Sequence, residues 1–172
     1  MDRAPVWFER KFDFTFPVEL HPNLCARLRG TAARLEEIAG QAAPALLVQR
    51  PAPDKWSAQE HAGHLYDLEA LWLARVEDYG AGVSQLTVAD LTNRKTYEAH
   101  HNERPIDEIL AHFRRARAVL VSRVEAIDPS QFSRAIPHPR LKTPMRLVDH
   151  LFFVAEHDDH HLAMMWQLLN SK

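Results

Sequence analysis

The chain has 172 residues, of which 46% are apolar, and its formal net charge at pH 7 is −2. Lysines and arginines are spread along the chain and matched by acids, which excludes a strongly basic nucleic-acid-binding surface. No apolar run is long enough to span a bilayer, and the N-terminus lacks the apolar core of a signal peptide. We therefore expect one domain over residues 1–172, with its own hydrophobic core and with neither nucleic acid nor a membrane as partner.

The cysteine and glycine contents narrow the class further. A single cysteine, Cys25, excludes an intrachain disulfide and fits a reducing compartment, so we expect a cytoplasmic protein. Only five glycines occur in the chain, which argues against an α/β nucleotide-binding fold with glycine-rich loops.

The N-terminal segment reads as an extended arm over residues 1–17. Phe12, Phe14 and Phe16 alternate strictly, which predicts an extended strand-like segment that lays one aromatic side on the domain. Pro17 ends this pattern.

Four amphipathic helices follow the arm. Apolar residues at helical spacing predict a first helix over 18–40, and Ser57 with Glu60 forms a capping-box signal for a second helix over 58–79. Pro105 starts a third helix over 105–127, and Thr143 caps a fourth that runs nearly to the end of the chain. The connections are 41–55, 80–104 and 129–142, and the segment 88–101 could contain a short helix of its own. The pattern predicts an all-α fold, most simply a four-helix bundle with an extended N-terminal arm.

The last helix carries histidines on the face that should be buried. At about 100° per residue, His150, His157 and His161 fall within roughly 40° of one another, on the same side as the leucines of this helix. A buried imidazole needs partners for its ring nitrogens, and a metal ion suits several imidazoles at once. The alternative is a set of unconnected core histidines.

A second histidine cluster lies on the second helix. His61 is inside its apolar stripe and His64 is at the edge of that stripe, so periodicity does not decide which of the two would face a shared site. In helical bundles, metal sites are built from side chains on facing helices, which suits a site shared by the second and fourth helices.

Two motifs make the chain resemble the DinB/YfiT superfamily of metal-binding four-helix bundles. Trp56-Ser57 followed by His64-Leu65-Tyr66-Asp67 is similar to the W-[ST] and H-[LV]-x-D of that family's second helix. The run from His157 to His161 is similar to its H-x-x-x-H in the last helix. The resemblance implies that His64, His157 and His161 bind one divalent metal ion per protomer, zinc or nickel, with His61 as the main rival to His64.

The residues around these ligands have two interpretations each. His61, Asp67, His150 and Asp158 are candidates to orient the ligand imidazoles or line the pocket. As alternatives, the histidines would be ordinary core residues and the acids would be solvated or salt-bridged. His160 is rotated about 100° from His161 and should face a neighbouring segment or solvent. The loop residues His100, His101 and Asn102 could reach the mouth of the pocket.

Three functions stay open from the sequence. Three neutral imidazoles leave metal positions open, which is typical of catalytic sites, where the ion activates water or a thiol. The resemblance implies a metal-dependent hydrolase or a transferase that uses a low-molecular-weight thiol on a small-molecule substrate. The second interpretation is a non-catalytic metal-binding or stress-response bundle that acts in partner binding or dimerisation. A homodimer is therefore one of the assemblies that we consider. The third is a bundle without metal.

Overall fold

A computed structural model of the chain describes residues 4–170. Within that range the chain forms six α-helices and two short strands: α1 His21–Gly40, α2 Pro44–Leu47, α3 Ala58–Ala81, α4 Arg94–Glu98, α5 Ile106–Glu125, β1 Ala135–Pro137, β2 Pro144–Arg146 and α6 Leu147–Asn170. Short 3-10 turns occur at Trp7–Glu9, Val18–Leu20, His101–Glu103 and Pro129–Ser133. Across residues 4–170, every helix is too short or too polar to cross a membrane.

The four long helices form a four-helix bundle, as predicted. α1 and α3 each pack against both α5 and α6, so α1 and α3 lie on one diagonal of the bundle. The connection between these two helices therefore crosses the end of the bundle instead of joining neighbours. This arrangement sets α3 and α6, the two helices that carry the histidine motifs, side by side.

Helix α3 begins at the predicted capping box. The Ser57 hydroxyl accepts the N–H of Glu60 at 3.1 Å, and the Glu60 carboxylate accepts the N–H of Ser57 at 2.8 Å. The helix ends at Gly82, whose φ of 70° favours glycine because it lacks a Cβ. These two ends fix the position of His64 along the bundle.

The start of the last helix was predicted wrongly. α6 begins at Leu147, not at Thr143, because residues 144–146 pair with residues 135–137 in an antiparallel hairpin. The local reason is Asp149, the third residue of the helix, whose carboxylate accepts the backbone N–H of Arg146 at 2.8 Å and so caps the start of α6 there. The segment 129–142, predicted as a loop, thus contains a strand and the connection of the hairpin.

The part of the predicted N-terminal arm that the structure describes, residues 4–17, lies along α6, as its aromatic alternation indicated; residues 1–3 lie outside the described range. The rings of Phe12 and Phe153 are 5.1 Å apart, and so are those of Phe16 and Phe152. Arg146 donates to the carbonyls of Phe14 and Phe16 at 2.8 and 3.0 Å. The arm thereby carries Trp7 to the middle of α6, where it contacts the histidine motif.

Candidate metal centre

Three histidines meet between α3 and α6. His64 comes from α3, and His157 and His161 come from successive turns of α6; one nitrogen from each lies within 4.8 Å of the others, and all three side chains are buried. The Nε2 atoms of His157 and His161 are 3.2 Å apart. Two nitrogens that bind one tetrahedral zinc ion at about 2.0–2.1 Å are separated by about 3.3 Å. The structure thus brings together the three predicted ligands, and the spacing of the two on α6 fits a metal ion.

Hydrogen bonds orient two of the three rings. Nδ1 of His64 lies 2.9 Å from the hydroxyl of Thr96 on α4, and Nδ1 of His161 lies 2.8 Å from Nδ1 of His61. With their Nδ1 atoms engaged in this way, both rings keep Nε2 for the centre, and this is the usual arrangement of metal-binding histidines.

The third ring is held by aromatic contacts. Trp7 and Trp72 pack edge-on against the imidazole of His157, with ring centroids 5.0 and 5.4 Å away. Its Nδ1 is buried and has no hydrogen-bond partner in the described part of the chain. A metal ion bound at Nε2 would therefore leave the ring proton on Nδ1, where no group of the described chain accepts it.

The three imidazoles are neutral at physiological pH. Burial lowers the pKa of His64 to about 4, and it lowers the pKa of His157 and His161 well below the ordinary value, with mutual repulsion adding to the effect. Neutral imidazole is the form that binds metals. A set of three such nitrogens suits zinc, nickel and similar divalent ions better than magnesium or calcium.

Among the residues expected to orient the ligand imidazoles, His61 contacts one of those imidazoles. Its ring faces His161, as described above, whereas Asp67 accepts from Nε2 of His101 at 2.8 Å instead of from His64. His150 is fully buried against the rings of Trp72 and Tyr79, whose centroids are 5.9 and 6.2 Å away.

Asp158 belongs to a buried ionic cluster. Its carboxylate pairs with Arg117 of α5 and accepts the hydroxyl of Thr31 at 2.8 Å. Arg117 also pairs with Glu69 of α3 at 2.6 Å, and burial raises the pKa of Glu69 to about 7. Asp158 therefore ties α6 to α5 and α1, directly beside His157 in sequence.

The loop before α5 supports the site from outside. His101 is buried and holds Asp67, while His100 is exposed and Asn102 accepts from the hydroxyl of Ser57 at 2.7 Å. The ring of His101 lies directly over Gly63, where any Cβ would overlap with it. None of these three loop residues is among those that line the pocket, although the sequence suggested that they could reach its mouth.

A cavity of about 190 Å³ opens beside the three histidines. Its walls are mainly apolar and aromatic, and the residues that form them are Trp7, Phe8, Trp56, Leu68, Leu71, Trp72, Val88, Leu91 and Phe153. The ring of Trp56 lies 4.6 Å from that of His64, at an interplanar angle of 43°. His160 also lines the cavity and contacts Trp7, at 5.7 Å between rings.

Three basic residues of this cavity were not identified from the sequence. Arg75 lies on α3, and His138 and Arg140 lie in the connection of the hairpin. Arg75 follows Trp72 by three residues inside the apolar stripe of α3. A charged residue at a position that should be buried could have identified it as a candidate site residue. His138 and Arg140 gave no signal, because the hairpin itself was not predicted.

Fold and site together define a class: four-helix bundles in which two facing helices offer three imidazoles at the wall of a pocket. The family model of the DinB superfamily matches residues 27–165, and the chain belongs to that superfamily. The matched range includes His64, His157 and His161.

A solved structure shares this fold. YfiT from Bacillus subtilis, described as a probable metal-dependent hydrolase with an unusual four-helix bundle topology, superposes with a TM-score of 0.78 at 18% identity, over 93% of this chain and 91% of that chain. At this identity the likeness concerns the fold. A search of curated proteins gives no match to the sequence.

Proposed function

We propose that the chain is a metal-dependent enzyme that binds one divalent ion through His64, His157 and His161 and acts on a small molecule. The observation that carries the proposal is the convergence of three neutral imidazoles at the wall of an aromatic pocket. A divalent ion bound there would lower the pKa of a water or a thiol and polarise a carbonyl. The description of YfiT as a probable metal-dependent hydrolase supports this choice.

Other residues of the chain orient the ligand imidazoles and exclude water from the pocket. Thr96 and His61 fix the rings of His64 and His161 through their Nδ1 atoms. The aromatic wall, with Trp7 and Trp56 nearest the histidines, excludes bulk water and strengthens electrostatic interactions inside the pocket. Three protein ligands leave room for a nucleophile, which we propose to be water or a low-molecular-weight thiol.

The first test is metal content. Elemental analysis of the wild type should give close to one divalent ion per protomer, and His64→Ala, His157→Ala and His161→Ala should each lose most of it. His100→Ala, which removes an exposed histidine, is the matched control and should retain the metal. Near-stoichiometric metal in all three ligand variants would refute the assignment.

The second test separates an enzyme from a non-catalytic metal-binding bundle. Cobalt-substituted protein should show a visible spectrum that changes when a thiol or a small anion is added, and His161→Ala should lose that spectrum. Ester and amide substrates, and electrophiles offered with a low-molecular-weight thiol, should then be screened against the metal-loaded protein. A spectrum that no added ligand changes would indicate a closed site and favour a structural or partner-binding role.

A further inference from the structure

The pocket beside the three histidines is lined by two arginines that have no ion-paired acid in the described part of the chain. Arg75 of α3 and Arg140 of the hairpin both line it, and within residues 4–170 neither forms an ion pair with a carboxylate. Buried Arg117, by contrast, pairs with two acids. A buried charge without a counter-charge costs free energy and marks a candidate binding site.

Arg75 is the more deeply buried of the two, with 2% of its surface exposed. Its Nε donates to the carbonyl of Thr87 at 2.9 Å, and its guanidinium lies 5.5 Å from the ring of Trp72. Burial lowers the pKa of Arg75 to about 10; attraction to Tyr79 and Asp78 opposes this effect, and repulsion from Arg140 adds to it. The side chain therefore stays cationic at neutral pH, and the groups in direct contact with it are a neutral carbonyl, an imidazole and an aromatic ring.

His138 faces Arg75 and has N–H donors at both of its ring nitrogens. The backbone N–H groups of Arg140 and Leu141 point at its Nδ1 from 3.2 and 3.1 Å, and Nη1 of Arg75 lies 3.1 Å from its Nε2. Burial lowers the pKa of His138 to about 3, so the ring is neutral and only one of its two nitrogens can accept. The ring therefore cannot satisfy all of these donors, and a ligand oxygen beside the cluster would accept from the donor that is left over.

Arg140 completes the cluster. Its Nη2 is buried and has no hydrogen-bond partner in the described chain. Its guanidinium carbon lies 5.3 Å from the ring of Phe8 and 5.6 Å from that of Phe153, so aromatic rings hold it at the pocket wall. The acid that lines the pocket, Asp90, is exposed and accepts from Thr92 within its own turn.

We propose that Arg75, His138 and Arg140 bind an anionic group of the ligand, such as a carboxylate, sulfonate or phosphonate. Guanidinium groups bind such oxyanions through paired hydrogen bonds, and a dry pocket strengthens these bonds. The mouth of the pocket suits an apolar body, because Phe8, Val88 and Leu91 are 57%, 66% and 54% exposed there. The substrate class, an anion with an apolar or aromatic body, rests on the proposed function. Binding of the anion itself requires only the donor groups of Arg75, His138 and Arg140.

The test is calorimetric titration of the purified, metal-loaded protein with benzoate, phenylphosphonate and neutral benzamide. At least one of the two acids should bind, and benzamide should bind at least about tenfold more weakly. Arg140→Gln should weaken acid binding by roughly 10- to 100-fold and leave the metal content unchanged, whereas Arg140→Lys should retain part of the affinity. Arg115→Gln, which removes an exposed arginine of α5, is the matched control and should behave like the wild type.

Several results would overturn the proposal. They are binding of neither acid, equal affinity for benzamide and benzoate, or full affinity in a folded Arg140→Gln variant. Acid binding that disappears on chelation but ignores Arg140→Gln would place the anion on the metal and would also overturn it. If the wild type contains no metal but binds benzoate in an Arg140-dependent way, the proposed function fails and the anion site stands.

Discussion

The Nδ1 atoms of His61 and His161 lie 2.8 Å apart, across the interface between α3 and α6. Burial lowers the pKa of His61 to about 3, so its ring is a neutral group at physiological pH. When Nε2 of His161 binds a metal ion, the ring proton is on Nδ1, and Nδ1 of His61 would accept it. This contact fixes the tautomer and the orientation of His161.

Removing that acceptor should weaken metal binding without abolishing it. We expect His61→Leu to lower metal affinity about 10- to 100-fold, because the ring of His161 loses the partner that orients it. His61→Gln retains a carbonyl acceptor and should restore part of the affinity. Competition with a chromogenic chelator measures both. If His61→Ala abolishes binding while His64→Ala spares it, His61 is the ligand from α3 and the assignment of His64 is wrong.

Metal binding should stabilise the fold without being required for it. Two apolar clusters of buried side chains pack the long helices together, and neither cluster includes the histidine ligands. Free metal at 100 to 1,000 times its dissociation constant should add about 2.7 to 4.1 kcal/mol to the free energy of unfolding, a shift on the order of 10 °C in melting temperature. Circular dichroism with and without a chelator tests this, and loss of helical signal on chelation at 25 °C would contradict it.

The parts of the fold that could be predicted are those with a strong local signal. The capping box at Ser57 and the apolar periodicities located the helices, and the aromatic alternation located the arm. The hairpin at 135–146 was missed because its strands are three residues long, and its register depends on tertiary contacts such as the hydrogen bond from Tyr79 to the carbonyl of Met145.

Some features of the candidate site could likewise be predicted from the sequence, and others could not. The helical positions of His64, His157 and His161 follow from spacing together with the family resemblance. The roles of Thr96 and Arg140 could not be predicted, because both side chains come from segments between the long helices and meet the site only in the folded chain.

Stability of the chelated protein should fall as the pH is lowered from about 6.5 toward 4. The pKa of His64 in the folded state, about 4, is below the 6.5 of the unfolded chain, as are those of His61, His150, His157 and His161. Between these values the unfolded state binds more protons than the folded state. Each such histidine therefore lowers the free energy of unfolding by up to about 1.4 kcal/mol for every unit by which the pH falls. Burial raises the pKa of Glu69 to about 7, so this carboxyl makes stability rise as the pH falls. It is one carboxyl against several imidazoles, so the histidines determine the direction of the change.

Denaturant titrations at pH 7.5, 6.0 and 5.0 measure this dependence. His64→Gln should reduce the slope by about one proton, because it removes one group that is neutral when folded and charged when unfolded. His100→Gln, at an exposed position, should leave the slope unchanged. A stability that is flat from pH 7.5 to 5.0 would contradict the burial of neutral histidines in this core.

Gly63 and Gly30 should respond in opposite ways to the same substitution. A methyl group at Gly63 would overlap with the ring of His101, which is held by its hydrogen bond to Asp67, whereas a Cβ at Gly30 meets nothing within 4 Å. We expect Gly63→Ala to destabilise the protein by about 1–3 kcal/mol through overpacking. Gly30→Ala should stabilise it by about 0.4–1 kcal/mol by restricting the unfolded chain. Because Gly63 precedes His64, Gly63→Ala should also weaken metal binding. Equal melting temperatures for the two variants would show that the ring of His101 does not pack against α3 as described.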